Sequence, residues 1–214
     1  MSNSTVTNPQ NRLTSFDAQV REAQVIGAGP RIEAIPDAEI PAQLRAVVNK
    51  TRASIGLGPA NPLPEYTRLI AKSPSIFRAH MEMGTAIFSG QLPPGERELA
   101  ILRVGWVSGA PYEWGEHVKI AKRFGVTPEA LERVTQGSSA AGWTEHEAAI
   151  LRGVEQLILD QTLDDHTYAT LARQWSEAQL IEYLMLIGHY VTTAFIQNSL
   201  RARLADGNNG LATR

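Results

Sequence analysis

The chain has 214 residues, 20 basic and 22 acidic side chains, a formal net charge of −2 and no cysteine. This length suits one domain of ordinary size. The charge balance argues against a nucleic-acid partner, which calls for a basic face. The lack of cysteine excludes disulfides, thiolate metal ligands, cysteine nucleophiles and dithiol redox chemistry within the chain. No apolar run approaches bilayer length and the N-terminus has no signal-peptide core, so the expectation is a soluble, cytoplasmic protein with no membrane partner.

In chain order, Met1 to Arg12 is polar, rich in Ser, Thr and Asn, and expected to be mobile. Ser15 to Ile26 reads as a short helix ended by Gly27-Ala28-Gly29-Pro30, and Arg31 to Pro36 as extended chain. Residues 1–35 form an N-terminal extension to a domain spanning 36–205. Ile40 to Ile55 is a helix with Leu44, Val47 and Val48 on its buried side, followed by a Gly/Pro loop and a short helix, Pro64 to Ala71. Ser73-Pro74 has the form of an N-cap with Pro at the first helical position, and that helix runs to about Phe88.

Pro93-Pro94-Gly95 breaks the chain before the stretch with the densest titratable and aromatic side chains, Glu96 to His117. Its apolar run carries Glu98 and Trp106 and stops at Ser108-Gly109-Ala110. Pro111 then opens a helix to Phe124, with Gly125 as its C-terminal glycine. Thr127-Pro128 starts a short helix closed near Gly137. Thr144 with Glu147, and Ser176 with Gln179, form capping-box patterns. The first precedes a helix to about Asp160 and the second the longest helix, to about Leu204, with a short helix at about Asp165 to Gln174 between them. The tail, residues 206–214, is Gly- and Asn-rich and expected to fray. Nothing alternates with period two, so the fold class is all-α, an antiparallel helical bundle.

Glu113 and His117 lie four residues apart, on one helical face, beside large aromatics. A carboxylate against an imidazole at a helix start makes a plausible acid/base pair, or simply a surface ion pair. No H-E-x-x-H or paired Glu-x-x-His pattern is present, so no metal site is predicted.

The run ERELAILRVG...YEWGEH, with the Gly and Thr-Pro-Glu that follow, resembles the carboxymuconolactone decarboxylase family, within the AhpD-like all-α superfamily. RLIAKSPSIFRAHMEM upstream, and WTEHEAAILRGVEQLI and LIGHYVTTAFIQNSL downstream, resemble the same family's flanking helices. The likeness covers roughly Ile40 to Leu204. In the alkylhydroperoxidase-D branch, Glu98, Tyr112 and His117 would match a glutamate, a neighbouring aromatic and a histidine. The two cysteines of that branch would fall on Ala110 and Glu113, so thiol peroxidase activity is not expected. The decarboxylase branch resembles a Glu four residues before the His, as Glu113 and His117 stand here. The resemblance also implies a homo-oligomer, trimer or hexamer.

Decarboxylating a β-keto or vinylogous acid leaves an enolate that must be stabilised and then protonated on carbon. No cofactor is needed if the substrate supplies its own electron sink. The expected catalytic set is His117 as general acid/base oriented by Glu113, Glu98 as relay or second carboxylate, and Tyr112 as hydroxyl donor. Trp114, Trp106 and Phe77 would wall the substrate, with His80 lining the pocket. His189 would be either a buried, satisfied histidine or a residue facing the site opposite His117, and Asn198 either a substrate donor or a helix–helix hydrogen bond. His146 and His166 are expected at the surface. The substrate would be a small keto-acid, lactone or aromatic-derived compound. A keto–enol isomerase, dehydratase or lactone hydrolase would use the same equipment, and a non-catalytic binding or assembly module on the same scaffold is the rival class.

Overall fold

The computed structural model describes residue 13 and residues 16–54 and 56–214. The expected mobility of Met1 to Arg12 lies outside these. Among the described residues the chain forms ten α-helices, two 3₁₀ turns (Asp37–Glu39 and Gly210–Ala212) and no strand. The helices are α1 Ala18–Ile26, α2 Ala42–Ser54, α3 Glu65–Ile70, α4 Pro74–Phe88, α5 Pro94–Val107, α6 Pro111–Arg123, α7 Pro128–Gln136, α8 Glu145–Leu159, α9 Asp165–Ala172 and α10 Glu177–Leu200.

Most helix starts obey their local chemistry. The hydroxyls of Thr127, Thr144 and Ser176 accept first-turn backbone N–H groups, and the last two complete reciprocal capping boxes. Ser73 occupies the N-cap position of α4 but its hydroxyl caps nothing. The long helix ends four residues earlier than expected, because Arg201 adopts a left-handed conformation (φ 57°) as its C-cap.

Helix α5 is the axis of the bundle. Every residue from Arg97 to Val107 is buried, and α6, α7, α8 and α10 pack around it. A helix sheathed on all sides has no solvent face, so Arg97, Glu98 and Arg103 must find partners inside. Arg103 reaches Glu155 on α8 at 2.8 Å and donates to the carbonyls of Val134 (2.8 Å) and Leu13 (2.6 Å). A second, smaller apolar cluster joins α2, α3 and α4, with Leu44, Val48, Tyr66 and Phe77, and receives Tyr112 from α6.

The first helix and the C-terminal tail are both tied to the α5–α6 hairpin. Arg21 of α1 donates to the carbonyls of Ser108 (3.1 Å) and Gly109 (3.2 Å) in the turn. The C-terminal tail, expected to fray, instead lies along α6. Leu211 is buried, and Trp114 Nε1 donates to the Thr213 carbonyl at 2.9 Å. The Asn208 amide donates to the Tyr112 carbonyl (3.0 Å) and to Glu116 (3.1 Å), and its oxygen accepts from the Gly210 N–H (2.8 Å). Its side chain fills the notch that Gly115 leaves on α6, where a methyl group would overlap the amide oxygen. Composition misled here: short polar residues read as loop, yet their side chains serve as buried hydrogen-bond partners.

Gly115→Ala should therefore displace the tail and lower stability by about 1–3 kcal/mol, the usual cost of overpacking. Asn208→Ala should also destabilise, yet the pair should be non-additive by roughly 0.5–3 kcal/mol, because removing the amide removes the overlap. Chemical denaturation of the four proteins checks this; strictly additive losses would mean that the tail does not sit in the notch.

Candidate active site

The α5–α6 hairpin lays two short stretches of helix side by side. Glu98 comes from α5, and Glu113 and His117 from the first two turns of α6. The imidazole of His117 is held between the two carboxylates. Nδ1 lies 2.8 Å from Glu98 Oε2 and Nε2 lies 3.1 Å from Glu113 Oε1. The outer oxygens are taken as well. Arg97 Nε donates to Glu98 Oε1 at 3.3 Å, and Gln197 Nε2 of α10 donates to Glu113 Oε2 at 2.7 Å. All three central residues are buried, Glu98 completely. The Arg97 guanidinium is sandwiched against the faces of Phe88 (4.5 Å) and Phe124 (5.3 Å). Two carboxylates thus face two cations in a dry interior, the condition under which buried charge is tolerated.

Burial is the largest influence on His117 and opposes its charge. The Glu98 and Glu113 carboxylates together outweigh it and raise the pKa to about 10. At neutral pH the ring is an imidazolium donating from both nitrogens. Tyr190 presents its ring to His117 edge-on at 5.0 Å and to His189 at 5.4 Å, touching both.

A second group of rings lies beside this cluster. The Tyr66 hydroxyl and His80 Nε2 are 2.8 Å apart, and the His80 ring stacks on His189 at 4.2 Å. Burial, then the neighbouring His80 and His117, push His189 down to about 3, and burial likewise lowers His80. Both are neutral imidazoles at pH 7. His189 borders an open pocket of 290 Å³ between α4 and α10.

The other candidates separate. Tyr112 points into the smaller apolar cluster, 6.3 Å from the Tyr66 ring, and its buried hydroxyl approaches the Tyr66 backbone without completing a hydrogen bond. Phe77 is core of that same cluster. Trp106 and Trp114, expected as substrate walls, lie apart from His117. They pack on each other at 4.9 Å and under Arg214, with Phe16 on Trp106, and make no ring contact with His117. Helical phase explains this: Glu113 and His117 share one face of α6, and Trp114 takes another, toward the tail. Asn198 donates to the Ser108 carbonyl at 3.2 Å, the structural alternative. His146, expected at the surface, is buried against Trp175 at 5.0 Å with Glu96 at 3.4 Å, whereas His166 is exposed.

Sequence reasoning missed Arg97, Tyr190 and Gln197. Tyr190 adjoins His189 and Gln197 adjoins Asn198, so each is a near neighbour of a residue singled out; the phase of α10 decides which one faces α6. A groove of 960 Å³ between α1, α8 and α10 is lined by Phe16, Val20, Phe195 and others but by none of the nine candidate residues. No group of three or more His, Asp or Glu among the described residues is arranged to hold a metal ion.

The His117 pKa, raised above the 6.5 of a free imidazole, makes its stabilising contribution complete below pH 6.5 and lost as pH climbs through about 10. His189 runs the opposite way. Its contribution is present above pH 6.5 and lost as pH falls toward 3. NMR titration should find the His117 ring still protonated well above pH 7 and the His189 ring still neutral well below it. Glu98→Gln should bring the His117 pKa down and cost about 3–5 kcal/mol, as breaking one partner from a buried pair does. A His117 that titrates near 6.5 in the wild type would contradict the clamp.

Among curated proteins, no sequence matches this chain. Solved structures of similar fold include the debrominase Bmp8 in complex with 2,3,4-tribromopyrrole, at 18% identity, a TM-score of 0.69, and coverage of 83% of this chain and 93% of that one. A peroxidase-related protein from Ralstonia eutropha JMP134, described as an alkylhydroperoxidase AhpD core, aligns at 17% identity and a TM-score of 0.68 over 83% of this chain and 93% of its own. Another from Silicibacter sp. TM1040 aligns at 12% identity and a TM-score of 0.67, over 85% and 97%. At such identities the likeness concerns the fold, which is AhpD-like. A model of the carboxymuconolactone decarboxylase family matches residues 74–156, from the start of α4 through most of α8. That stretch, similar to the carboxymuconolactone decarboxylase family, carries eight of the nine candidate residues.

Proposed function

We propose that this protein is a cofactor-independent enzyme catalysing proton transfer at carbon next to a carbonyl, by decarboxylation or enol isomerisation of a small keto-acid, lactone or aromatic-derived compound. The observation that carries the reading is the buried Glu98–His117–Glu113 clamp, because strongly perturbed titratable groups held by specific charge partners cluster at functional sites.

In the resting clamp His117 is too strongly held to exchange its proton at neutral pH. A substrate oxygen that takes the place of Glu113 at Nε2 removes one of the two carboxylates holding that charge. The His117 pKa then falls toward neutrality, its N–H donates to the developing oxyanion, and Glu113 is released as a base. In isomerisation Glu113 takes the proton on carbon while His117 supplies one to oxygen. In decarboxylation carbon dioxide departs, the enolate oxygen rests on His117, and the carbon takes one proton, replaced from solvent. Glu98 keeps Nδ1 occupied and Arg97 balances Glu98. Tyr190, touching both His117 and His189, is the ring a substrate entering beside His189 must pass.

Helix α10 leaves Ile181, Leu184, Met185 and Phe195 exposed, with Ile181 and Phe195 more than 60% accessible. Ile181 and Phe195, the most accessible of these, support a homo-oligomer, trimer or hexamer, that buries them and leaves the pocket walled by Leu184 and Met185 open. Light scattering should find an oligomer that Ile181→Glu with Phe195→Glu dissociates; a wild-type monomer would remove this part of the reading.

The test of activity is a turnover screen over β-keto acids, γ-lactones and enol-lactones, following carbon dioxide release and ultraviolet change. His117→Ala and Glu113→Gln should each lose about 10²–10⁴-fold with the fold intact. Turnover indifferent to both would sink the site assignment. Lactone opening without carbon dioxide would favour a hydrolase, and no turnover across the panel would favour the binding or assembly module.

A further inference from the structure

The pocket beside His189 differs in charge from the cluster behind it. Its walls are Met83 of α4 and Leu184, Met185, Gly188, His189 and Thr192 of α10, none of them Lys, Arg, Asp or Glu. Helix α10 has no Asp, Glu, Lys or Arg from Tyr183 to its end at Leu200. The cations of the cluster are committed: Arg97 to Glu98 and two aromatic faces, and His117 to two carboxylates.

His189 is the polar group this pocket offers to a ligand beside the Thr192 hydroxyl, which donates to the Gly188 carbonyl at 3.0 Å. Its ring stacks on His80, whose Nε2 is occupied by the Tyr66 hydroxyl, while the His189 ring makes no hydrogen bond to any described residue. Gly84 faces it across the α4–α10 contact. A methyl group there would sit 3.5 Å from His189 Nε2, and glycine leaves that space open. A neutral imidazole can donate from one nitrogen or accept at the other, but offers no charge to compensate an anion. A carboxylate moving inward would leave water, meet no free cation and approach Glu113. A desolvated, unpaired charge is the costliest group to bury.

We propose that this mouth selects a small uncharged ring compound, such as a lactone, an enone or a phenol, anchored by one oxygen on His189, and that it excludes free carboxylates. The volume of 290 Å³ suits a single ring. The inference rests on the acid/base reading above and selects its isomerisation arm, since a free acid that loses carbon dioxide would arrive as an anion.

Benzamide and benzoate are nearly isosteric and differ in charge, so they serve as probes of the full-length protein near neutral pH. Calorimetry gives the affinities, and the histidine Cε1–H signals in carbon-edited NMR give the place. Benzamide should bind and move the His189 signal, with benzoate at least about tenfold weaker. His189→Ala should weaken benzamide about tenfold. Thr192→Lys, a change at an exposed wall residue, should strengthen benzoate. Benzoate binding as tightly as benzamide overturns the proposal, as does a benzamide shift that spares His189, or no binding by either probe. Failure of the acid/base reading looks different: benzamide would still bind at His189 in the wild type and in folded His117→Ala, while the turnover screen stayed silent.

Discussion

Burying charge inside α5 is the constraint on which the rest of this structure depends. A helix enclosed on every side would ordinarily be wholly apolar, yet this one carries Arg97, Glu98 and Arg103, all but inaccessible. Two of them impose a partner on a neighbouring helix, Glu155 of α8 for Arg103 and His117 of α6 for Glu98, while Arg97 turns to Glu98 itself. These pairs do little to raise net stability compared with apolar side chains of similar volume, since desolvation consumes most of the attraction. They specify instead. A bundle of Ala- and Leu-rich helices has many near-equivalent packings, and one in which three buried charges are all paired is far rarer.

The same requirement shapes the surroundings of the site. Glu113 would be left with an unsatisfied oxygen without Gln197, and Arg97 with bare apolar walls without the faces of Phe88 and Phe124. The hairpin that brings Glu98 and His117 together is braced from outside as well. Arg21 holds the carbonyls of its turn, and the tail holds the outer face of α6 through Asn208 and Thr213. The first helix and the C-terminal tail thus support one pair of helices.

Legibility varied with the range of the interaction. The capping boxes at Thr144 and Ser176 and the prolines opening α6 and α7 are local and appear where the pattern places them. Ser73 has the right letter and position but no cap, because a hydroxyl must also point the right way. Glu113 and His117 were legible as a pair since helical periodicity alone puts them on one face. Glu98 could be suspected through the family likeness, but its contact with Nδ1 depends on how α5 crosses α6. Trp106 and Trp114 stand apart from His117 because closeness in sequence says nothing about helical phase relative to a third element.

The amino-acid sequence by itself determined the all-α class, the approximate bounds of the helices, the absence of thiol chemistry and the Glu113–His117 pairing. All of these rest on composition or on interactions within a few residues. Only the tertiary structure decided that His117 is clamped on both nitrogens, that its environment raises its pKa while that of His189 is lowered, and that an uncharged mouth stands beside a buried ionic cluster. The physical reason is that desolvation and charge pairing are properties of the space a side chain enters. That space is built here by helices that lie far apart in the chain.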